Sequence, residues 1–320
     1  MSSISQSQVC IKHLVISGGG PILIQFLSCI QRLEEKNFLD TKKIESIYAT
    51  SAGAIMGTLI CLRFDWETIN DYIIQRPWHD VFPIKVQNIF DSYSKKGLYD
   101  IKVFEKCFKP LLDAKDLPID IHLLDFYNYS KIEQHFFTFD LNTFQLEDIS
   151  YKTHPHLPLI TAIQMTCALP VLVTPVCIEN KCYIDGGVVC NYPLKYCLDS
   201  KINVDEILGF KNQYDKVDVN MIDSSSNLLE FTMGFLFKII RSLETDHLQP
   251  HIKYEINCKT QLLSIDFMNS ALTSMETRKI LFQSGFDCAD EFLMNYHEKQ
   301  DEEKQYEKEY QKSMDDIDDV

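Results

Sequence analysis

The first 65 residues contain the same local pattern twice: a short apolar segment, a run of small residues, and then a segment with helical spacing of apolar residues. The first copy is His13–Ser17, followed by three glycines, Pro21 and the helical segment Ile22–Leu33. The second copy is Ile44–Tyr48, followed by small residues and Ala54–Leu62. Pro21 suits a first helical turn, where its missing N–H costs nothing. Strands that alternate with helices pair in parallel, so the sequence predicts an α/β fold.

The rest of the chain predicts fewer regular elements. Residues 66–130 indicate helices and loops, and the C-terminal third indicates helices at 228–243 and 278–296. From Glu298 to Val320 ten acidic and four basic residues occur without apolar periodicity, which favours a solvated helix end that grades into a disordered tail. Strands are predicted at 134–141, 145–149, 182–184 and 206–210, and a short helix at 159–169.

Composition limits the class of partner. The formal net charge of −15 argues against a nucleic-acid binder and against electrostatic docking on anionic membranes, but it permits apolar contact with neutral lipid. Eleven scattered cysteines indicate reduced thiols. The N-terminus has no signal-peptide pattern and no run of 18 apolar residues occurs, so we expect a cytoplasmic protein without a transmembrane span.

Ser51 follows the second predicted strand and precedes a helix. A serine on such a sharp turn has the geometry of a nucleophile elbow, which requires small residues two positions before and after it. Ala49 and Gly53 occupy these positions, although the usual first residue is glycine. The simpler interpretation is that Thr50 or Ser51 caps the helix. This segment alone leaves both interpretations open.

Three glycines separate the first strand from the first helix: Gly18, Gly19 and Gly20. Their backbone N–H groups could bind a phosphate or an oxyanion. No Lys-Ser or Lys-Thr follows them, so they are not a Walker A loop, and Leu23 stands where a dinucleotide-binding motif needs glycine. An oxyanion site and a plain tight turn remain as alternatives.

Asp185, Gly186 and Gly187 form a third candidate segment. Asp-Gly is a strong hairpin signal, but a carboxylate beside glycines could also act as a base. An acyl-transfer site needs a nucleophile, a base and oxyanion donors, and the chain has one candidate for each. The histidines lie outside any motif, so Asp185 is the candidate base of a dyad; they are His13, His79, His122, His135, His154, His156, His247, His251 and His297.

The order Ser-Gly-Gly-Gly, x-Ser-x-Gly and, far downstream, Asp-Gly-Gly resembles the patatin-like phospholipase family. Further segments are similar to the family's run Ala-x-x-Ala-Ser-x-Ala-x-Pro…Pro…Tyr-x-Asp-Gly-Gly…Asn-x-Pro; they are Ala162–Pro170, Pro175-Val176, Tyr183–Gly187 and Asn191–Pro193. The resemblance covers roughly residues 13–211.

The resemblance implies a three-layer α/β/α patatin-like fold with a mainly parallel central sheet and a mostly helical C-terminal third. It implies a patatin-like domain over 10–215, while apolar periodicity and composition predict a helical region over 216–297 that packs on it and an acidic, disordered tail over 298–320. The implied roles are nucleophile for Ser51, proton acceptor for Asp185, oxyanion donors for the three glycines, and elbow or motif positions for Ala49, Gly53, Gly186 and Gly187. No cofactor and no metal are expected.

The function that the resemblance implies is a lipid acyl hydrolase of the phospholipase A type, with a phospholipid or acylglycerol as substrate and peripheral contact with lipid surfaces. One departure stands out: Pro21, Ile22 and Leu23 replace the family's x-basic-Gly after the glycines. This departure motivates one alternative, a weakly active or inactive lipid-binding or interaction module. A non-lipid esterase or thioesterase is a second alternative, because the sequence does not separate it from a phospholipase. The apolar segment 228–240 is expected to be a core helix rather than a lipid-facing one.

Overall fold

A computed structural model describes residues 9–83, 92–214, 222–243, 250–261 and 263–318. The strands are β1 (His13–Ile16), β2 (Ser46–Thr50), β3 (Gly97–Tyr99), β4 (Glu133–Asp140), β5 (Gln145–Ile149), β6 (Val171–Val173), β7 (Val176–Ile178), β8 (Lys181–Asp185), β9 (Ile207–Tyr214) and β10 (Tyr254–Thr260). The α-helices are α1 (Leu23–Glu35), α2 (Ala52–Leu62), α3 (Trp66–Gln75), α4 (Trp78–Val81), α5 (Ile101–Asp113), α6 (Leu123–Ser130), α7 (Leu159–Thr166), α8 (Leu194–Asp199), α9 (Leu228–Leu243), α10 (Ile265–Thr273) and α11 (Met275–Asp318). Short 3₁₀ turns occur at Gly20–Ile22, Thr41–Lys43, Gly186–Val188 and Val204–Glu206.

The main sheet has the strand order β10-β9-β1-β2-β4-β8-β7, and β5 also pairs with β4. Neighbours from β10 to β4 are parallel, whereas the β4–β5, β4–β8 and β7–β8 pairs are antiparallel. A second, two-stranded sheet joins β3 and β6. The predicted α/β fold with a mainly parallel central sheet is therefore confirmed.

Side chains of the central strands alternate between two apolar layers, as the period of a strand requires. Leu14 and Ile16 of β1 face the larger core, which is formed with α1 and α2. Val15 faces a smaller core on the opposite side of the sheet, where Leu194 and Cys197 of α8 cover it. Helices therefore lie on both faces, in agreement with the three-layer prediction.

The C-terminal third differs from the sequence-based expectation in one strand. β10 pairs in parallel with β9 and extends the central sheet, although this region was predicted as helical. Its residues alternate in burial, with Tyr254, Ile256 and Cys258 facing inward. This period-two pattern indicates a strand, while the other described elements of the C-terminal third are helices, in agreement with the prediction of a mostly helical region. The predicted domain boundary at residue 215 consequently falls between two strands of one sheet.

The acidic C-terminal segment continues the last helix. The predicted solvated helix end belongs to α11, which extends to Asp318. Glu, Lys and Gln are good helix formers, and charges three residues apart, such as Asp301 and Lys304 at 3.8 Å, favour a helix. The first part of α11 packs on α1, where Arg32 donates to both carboxylate oxygens of Asp290 at 2.9 and 3.0 Å.

Candidate active site

The edge of β4 brings the ends of two other strands together. β5 occupies one edge of β4, so β2 and β8 share the other edge, where they pair with consecutive stretches of it. Thr50, the last residue of β2, lies opposite Phe137, and Asp185, the last residue of β8, lies opposite Thr138. Because β2 and β8 run in opposite directions, they end facing each other. Ser51, which follows Thr50, and Asp185, which precedes Gly186, are therefore neighbours in space.

Ser51 occupies the turn between β2 and α2 with φ 54° and ψ −124°. A positive φ is unusual for a residue with a side chain and marks local strain at the turn. The Ser51 side chain makes no capping hydrogen bond to α2, so the interpretation of Ser51 as a simple helix cap is wrong. Its backbone N–H instead donates to Thr166 Oγ1 at 2.9 Å, and Thr166 Oγ1 donates to the Phe137 carbonyl oxygen at 2.6 Å.

The small residues around Ser51 meet different requirements. A Cβ on Gly53 would lie 2.5 Å from the carbonyl oxygen of Ile16 and 2.6 Å from that of Ser17, so α2 could not approach β1 with any side chain there. Ala49 is a buried strand residue whose backbone has no positive φ. An alanine therefore fits this position without the strain that its difference from glycine would suggest.

Asp185 is almost fully buried, with 4% of its surface exposed. Its Oδ1 accepts a hydrogen bond from the Gly187 N–H at 2.7 Å. Burial raises the pKa of Asp185 to about 6, while hydrogen bonds from Ser51 and Gly187 partly oppose that rise. Asp185 and Gly186 form no hairpin turn, because β8 is followed directly by the 3₁₀ turn Gly186–Val188. The carboxylate is thus a desolvated, more basic acceptor beside the Ser51 hydroxyl.

The glycine loop is held from one side by two asparagines. The side-chain amides of Asn191 and Asn212 both donate to the Gly18 carbonyl oxygen, at 3.3 and 2.5 Å. The Gly18 N–H, expected to be an oxyanion donor, instead donates to the Asn191 carbonyl oxygen at 3.3 Å. Among the described residues no acceptor is found for the N–H groups of Gly19 and Gly20, and both glycines line the cavity at Ser51.

The departure after the glycines changes the polarity of the site. Pro21 lies in the 3₁₀ turn Gly20–Ile22, and Ile22 is fully buried in the core. Leu23 begins α1 and lines the cavity together with Pro21. Apolar surface therefore continues up to the glycine loop, where the family pattern has a basic residue.

A cavity of about 270 Å³ opens at Ser51 and Asp185. Its wall is predominantly apolar and includes Ile55, Leu59, Phe104, Phe108, Leu111, Leu172, Phe237 and Ile240. Pockets that bind apolar ligands combine such a wall with a few polar groups at one place. The arrangement suits an acyl chain whose carbonyl carbon lies next to the Ser51 hydroxyl.

Other candidates for the chemistry lie elsewhere. No histidine that the structure describes lines this cavity, and His247 lies outside the described residues. Within the described ranges no group of three or more His, Cys, Asp or Glu side chains has a metal-binding arrangement. In the same ranges no helix combines the length and the apolar character needed to cross a membrane.

Two residues of the site carried no distinct signal in the sequence. Thr166 lies within the similar segment Ala162–Pro170 without a signal of its own, and Asn212 lies outside every motif of the sequence. Asn212 lies near the end of β9, which is parallel to β1 and β2. The carboxyl ends of parallel strands form the sites of α/β folds, and Asn212 stands two positions after the predicted strand 206–210, so its place beyond a strand end is the signal that points to it.

Comparison with known proteins identifies a family and two relatives. The sequence profile of the patatin-like phospholipase family matches residues 14–198. An uncharacterized protein of Acanthamoeba polyphaga mimivirus, R571, is 24% identical over 67% of this chain and 70% of its own length. A probable lipid hydrolase of Invertebrate iridescent virus 6, 463L, is 21% identical over 57% of this chain but only 62% of its own length.

The fold is also found in a solved structure. The crystal structure of VipD from Legionella pneumophila superposes with a TM-score of 0.54 at 15% identity and covers 89% of this chain and 67% of VipD. The family profile covers more than half of the 320 residues and includes Ser51 and Asp185. This chain belongs to the patatin-like phospholipase family.

Proposed function

We propose that the protein is a lipid acyl hydrolase of the phospholipase A type, which cleaves fatty acyl esters with Ser51 as nucleophile and Asp185 as proton acceptor. The observation that carries the proposal is a buried carboxylate beside a serine on a strained turn, where both residues line one end of an apolar cavity. Family membership and the name of the iridescent virus relative support lipid hydrolysis as the general activity.

The first half of the reaction transfers the acyl group to the enzyme. Asp185 accepts the Ser51 hydroxyl proton while Ser51 Oγ bonds to the ester carbonyl carbon. The carbonyl oxygen becomes an oxyanion, which the N–H groups of Gly19 and Gly20 stabilise together with the N-terminal end of α2. When the tetrahedral intermediate collapses, the ester C–O bond breaks and the leaving alcohol takes the proton from Asp185.

The second half of the reaction releases the fatty acid. Asp185 accepts a proton from a water molecule as that water attacks the acyl-enzyme carbonyl. Collapse of the second intermediate breaks the bond to Ser51 Oγ, and the proton returns from Asp185 to Ser51. Burial of Asp185 favours both halves, since a carboxylate with a pKa of about 6 accepts protons more readily than an exposed one and is still ionised at neutral pH.

The cavity supports an acyl chain as the part of the substrate that the protein binds. Its apolar wall extends from Leu23 at the glycine loop to Phe104 and Phe108. A phospholipid or an acylglycerol would place one chain there and leave its polar part at the opening. A short-chain ester fills less of this wall, so kcat/KM should increase with acyl length.

The test is fatty acid release from phosphatidylcholine and from triacylglycerol by the wild type, by Ser51→Ala and by Asp185→Asn. We expect both variants to lose activity by a factor of about 10³ or more while they stay folded. Labelling with a fluorophosphonate provides the second measurement, since it should modify wild type but not Ser51→Ala. Thr58→Ala, a change in α2 away from the cavity, serves as the matched control.

Three results would reject the proposal. Unchanged lipid hydrolysis by Ser51→Ala would remove Ser51 as nucleophile. Absence of both hydrolysis and labelling in folded wild type would favour the inactive binding module. Hydrolysis of soluble esters or thioesters without any release from lipids would favour the non-lipid esterase.

A further inference from the structure

The helix α9 has two apolar faces, and only one of them is covered. Met233 and Phe237, four residues apart, are almost completely buried, with 1% and 5% of their surfaces exposed. On the opposite side Leu228, Phe231 and Phe235 are 80%, 51% and 57% exposed. The expectation of a core helix is thus correct for one face only. We refer to the stripe Leu228, Phe231 and Phe235 as the outer face of α9.

The spacing of the outer face is that of a helix surface. Its members stand at positions i, i+3 and i+7, which align along one side of a helix. The rings of Phe231 and Phe235 are parallel, with centroids 6.4 Å apart. Monomeric proteins rarely expose several large apolar side chains next to one another, and such patches mark an interaction surface.

The position of α9 relates this surface to the active site. Phe237 and Ile240, on the inner side of the same helix, line the cavity that contains Ser51 and Asp185. α9 also contacts the turn Gly186–Val188 that follows Asp185. Val189, next to that turn, is itself 44% exposed. The helix that carries the outer face therefore also forms part of the cavity wall and contacts the turn after Asp185.

We propose that the outer face of α9 docks on the surface of a zwitterionic phospholipid membrane and holds the cavity opening against it. This proposal rests on the proposed function, since it names the surface that supplies the lipid substrate. Aromatic and leucine side chains on one side of a helix insert at the boundary of head groups and acyl chains. Exposed Lys238 continues the stripe, as is usual for the polar edge of an interfacial helix.

The net negative charge of the chain favours a zwitterionic membrane over an anionic one. With 46 acidic and 31 basic residues the protein is repelled by an anionic surface. Binding must then come from the apolar side chains of the outer face. Adding phosphatidylserine to the vesicles should weaken binding, whereas raising the salt concentration should not weaken binding to phosphatidylcholine.

The test is flotation of the full chain with phosphatidylcholine vesicles. Phe231→Gln combined with Phe235→Gln should reduce the vesicle-bound fraction at least tenfold and reduce hydrolysis of vesicle lipid in proportion. The rate on a soluble short-chain ester should stay within twofold of wild type. Ile280→Gln combined with Met294→Gln removes exposed apolar side chains from α11 instead and should bind vesicles as wild type does.

The outcomes separate this proposal from the proposed function. If the α9 double variant binds and hydrolyses vesicles as wild type does, the docking proposal is overturned while the hydrolase stands. If the wild type hydrolyses no ester but binds vesicles through Phe231 and Phe235, the docking surface stands without the activity. If sedimentation velocity shows that the variant loses self-association and vesicles bind neither form, the outer face joins two copies of the chain and the proposal is wrong.

Discussion

The side-chain amide of Asn212 donates to the carbonyl oxygen of Gly18 at 2.5 Å and connects residues 194 positions apart in the chain. Because a peptide group is planar and trans, the Gly18 carbonyl and the Gly19 N–H point in opposite directions. Holding the carbonyl oxygen on the side of Asn212 therefore directs the Gly19 N–H to the other side. Asn191 donates to the same oxygen at 3.3 Å.

This arrangement predicts a role for Asn212 in the rate of the reaction. Asn212→Leu keeps most of the volume but removes the donor, so the glycine loop loses its orientation. We expect kcat on a soluble ester to decrease by about 10–100-fold, since loss of a whole oxyanion donor costs about 10²–10³. KM should change little. Asn257→Ala, an exposed amide on the neighbouring β10, is the control, and an equal loss of activity in both variants would contradict the prediction.

The raised pKa of Asp185 predicts how kcat/KM decreases at acidic pH. The proposed mechanism needs the ionised carboxylate, and burial raises the pKa of Asp185 to about 6. The value of kcat/KM should therefore rise with pH and level off above an apparent pKa near 6. Steady-state rates on a soluble ester between pH 4 and 8 measure this dependence. A profile that is flat down to pH 4.5 would show that Asp185 is not the base.

Replacing the Asp185 carboxylate with a neutral amide is predicted to stabilise the folded protein. The pKa of the carboxylate is 3.8 when unperturbed and about 6 in the folded protein, so the unfolded chain releases the proton more readily and stability decreases as pH rises from about 4 to 6. At pH 8 the cost of ionised Asp185 is on the order of 3 kcal/mol.

Asp185→Asn should therefore raise the free energy of unfolding at pH 8 by up to this amount while activity is lost. The gain should shrink as pH decreases from 6 to 4, because the folded wild type then carries the proton. Urea unfolding at pH 8 and pH 4 measures the difference. A variant that is less stable than wild type at pH 8 would contradict the proposed cause of the raised pKa.

The two small residues near Ser51, Gly53 and Ala49, are predicted to differ in how well they tolerate substitution. Gly53→Ala places a methyl group 2.5 Å from the Ile16 carbonyl oxygen, so α2 must move away from β1. We expect a loss of about 1–3 kcal/mol of stability and most of the activity. Ala49→Gly introduces no clash and should cost only about 0.5–1 kcal/mol through backbone entropy, with activity retained. Thermal unfolding and ester hydrolysis of both variants test this difference.

The two hydrogen bonds of Thr166 Oγ1 predict that a hydroxyl group is required at this position. Thr166→Val removes both the acceptor for the Ser51 N–H and the donor to the Phe137 carbonyl oxygen, in a side chain of equal size. We expect kcat to fall by about tenfold and stability by about 1–3 kcal/mol, because buried polar groups lose their partners. Thr166→Ser keeps the hydroxyl and should behave as wild type. Equal behaviour of the two variants would contradict a role for the hydroxyl.

The elements next to the site could be predicted because their signals are local. Ser51, the three glycines and Asp185 each directly follow an apolar segment, and the α/β alternation implies that such segments end at one edge of a sheet. The meeting of Ser51 and Asp185 depends on β8 sharing an edge of β4 with β2, and that register has no local signal. β10 did have a signal, since its alternating burial is visible in the order Tyr-Glu-Ile-Asn-Cys-Lys-Thr.

The glycine loop shows a property that its sequence could not predict. Three consecutive glycines do not reveal which N–H groups remain available. In the fold the Asn191 carbonyl oxygen binds the Gly18 N–H, and this contact joins segments far apart in the sequence. Likewise, the apolar residues of segment 228–240 indicate a helix but not that it has a buried and an exposed side. Long-range packing determines both which N–H groups are available and which side of the helix is buried.

The order of the strands has a consequence for the newly made chain. β1 is synthesised first, but one of its two neighbours is β9, where His13 lies opposite Ile207. Until the ribosome has translated β9, a central strand keeps an open edge and the Gly18 carbonyl lacks Asn212. The proposed site can therefore be completed only after β9 has been translated. A nascent chain that ends before β9 contains both Ser51 and Asp185 but lacks the hydrogen bond that orients the glycine loop.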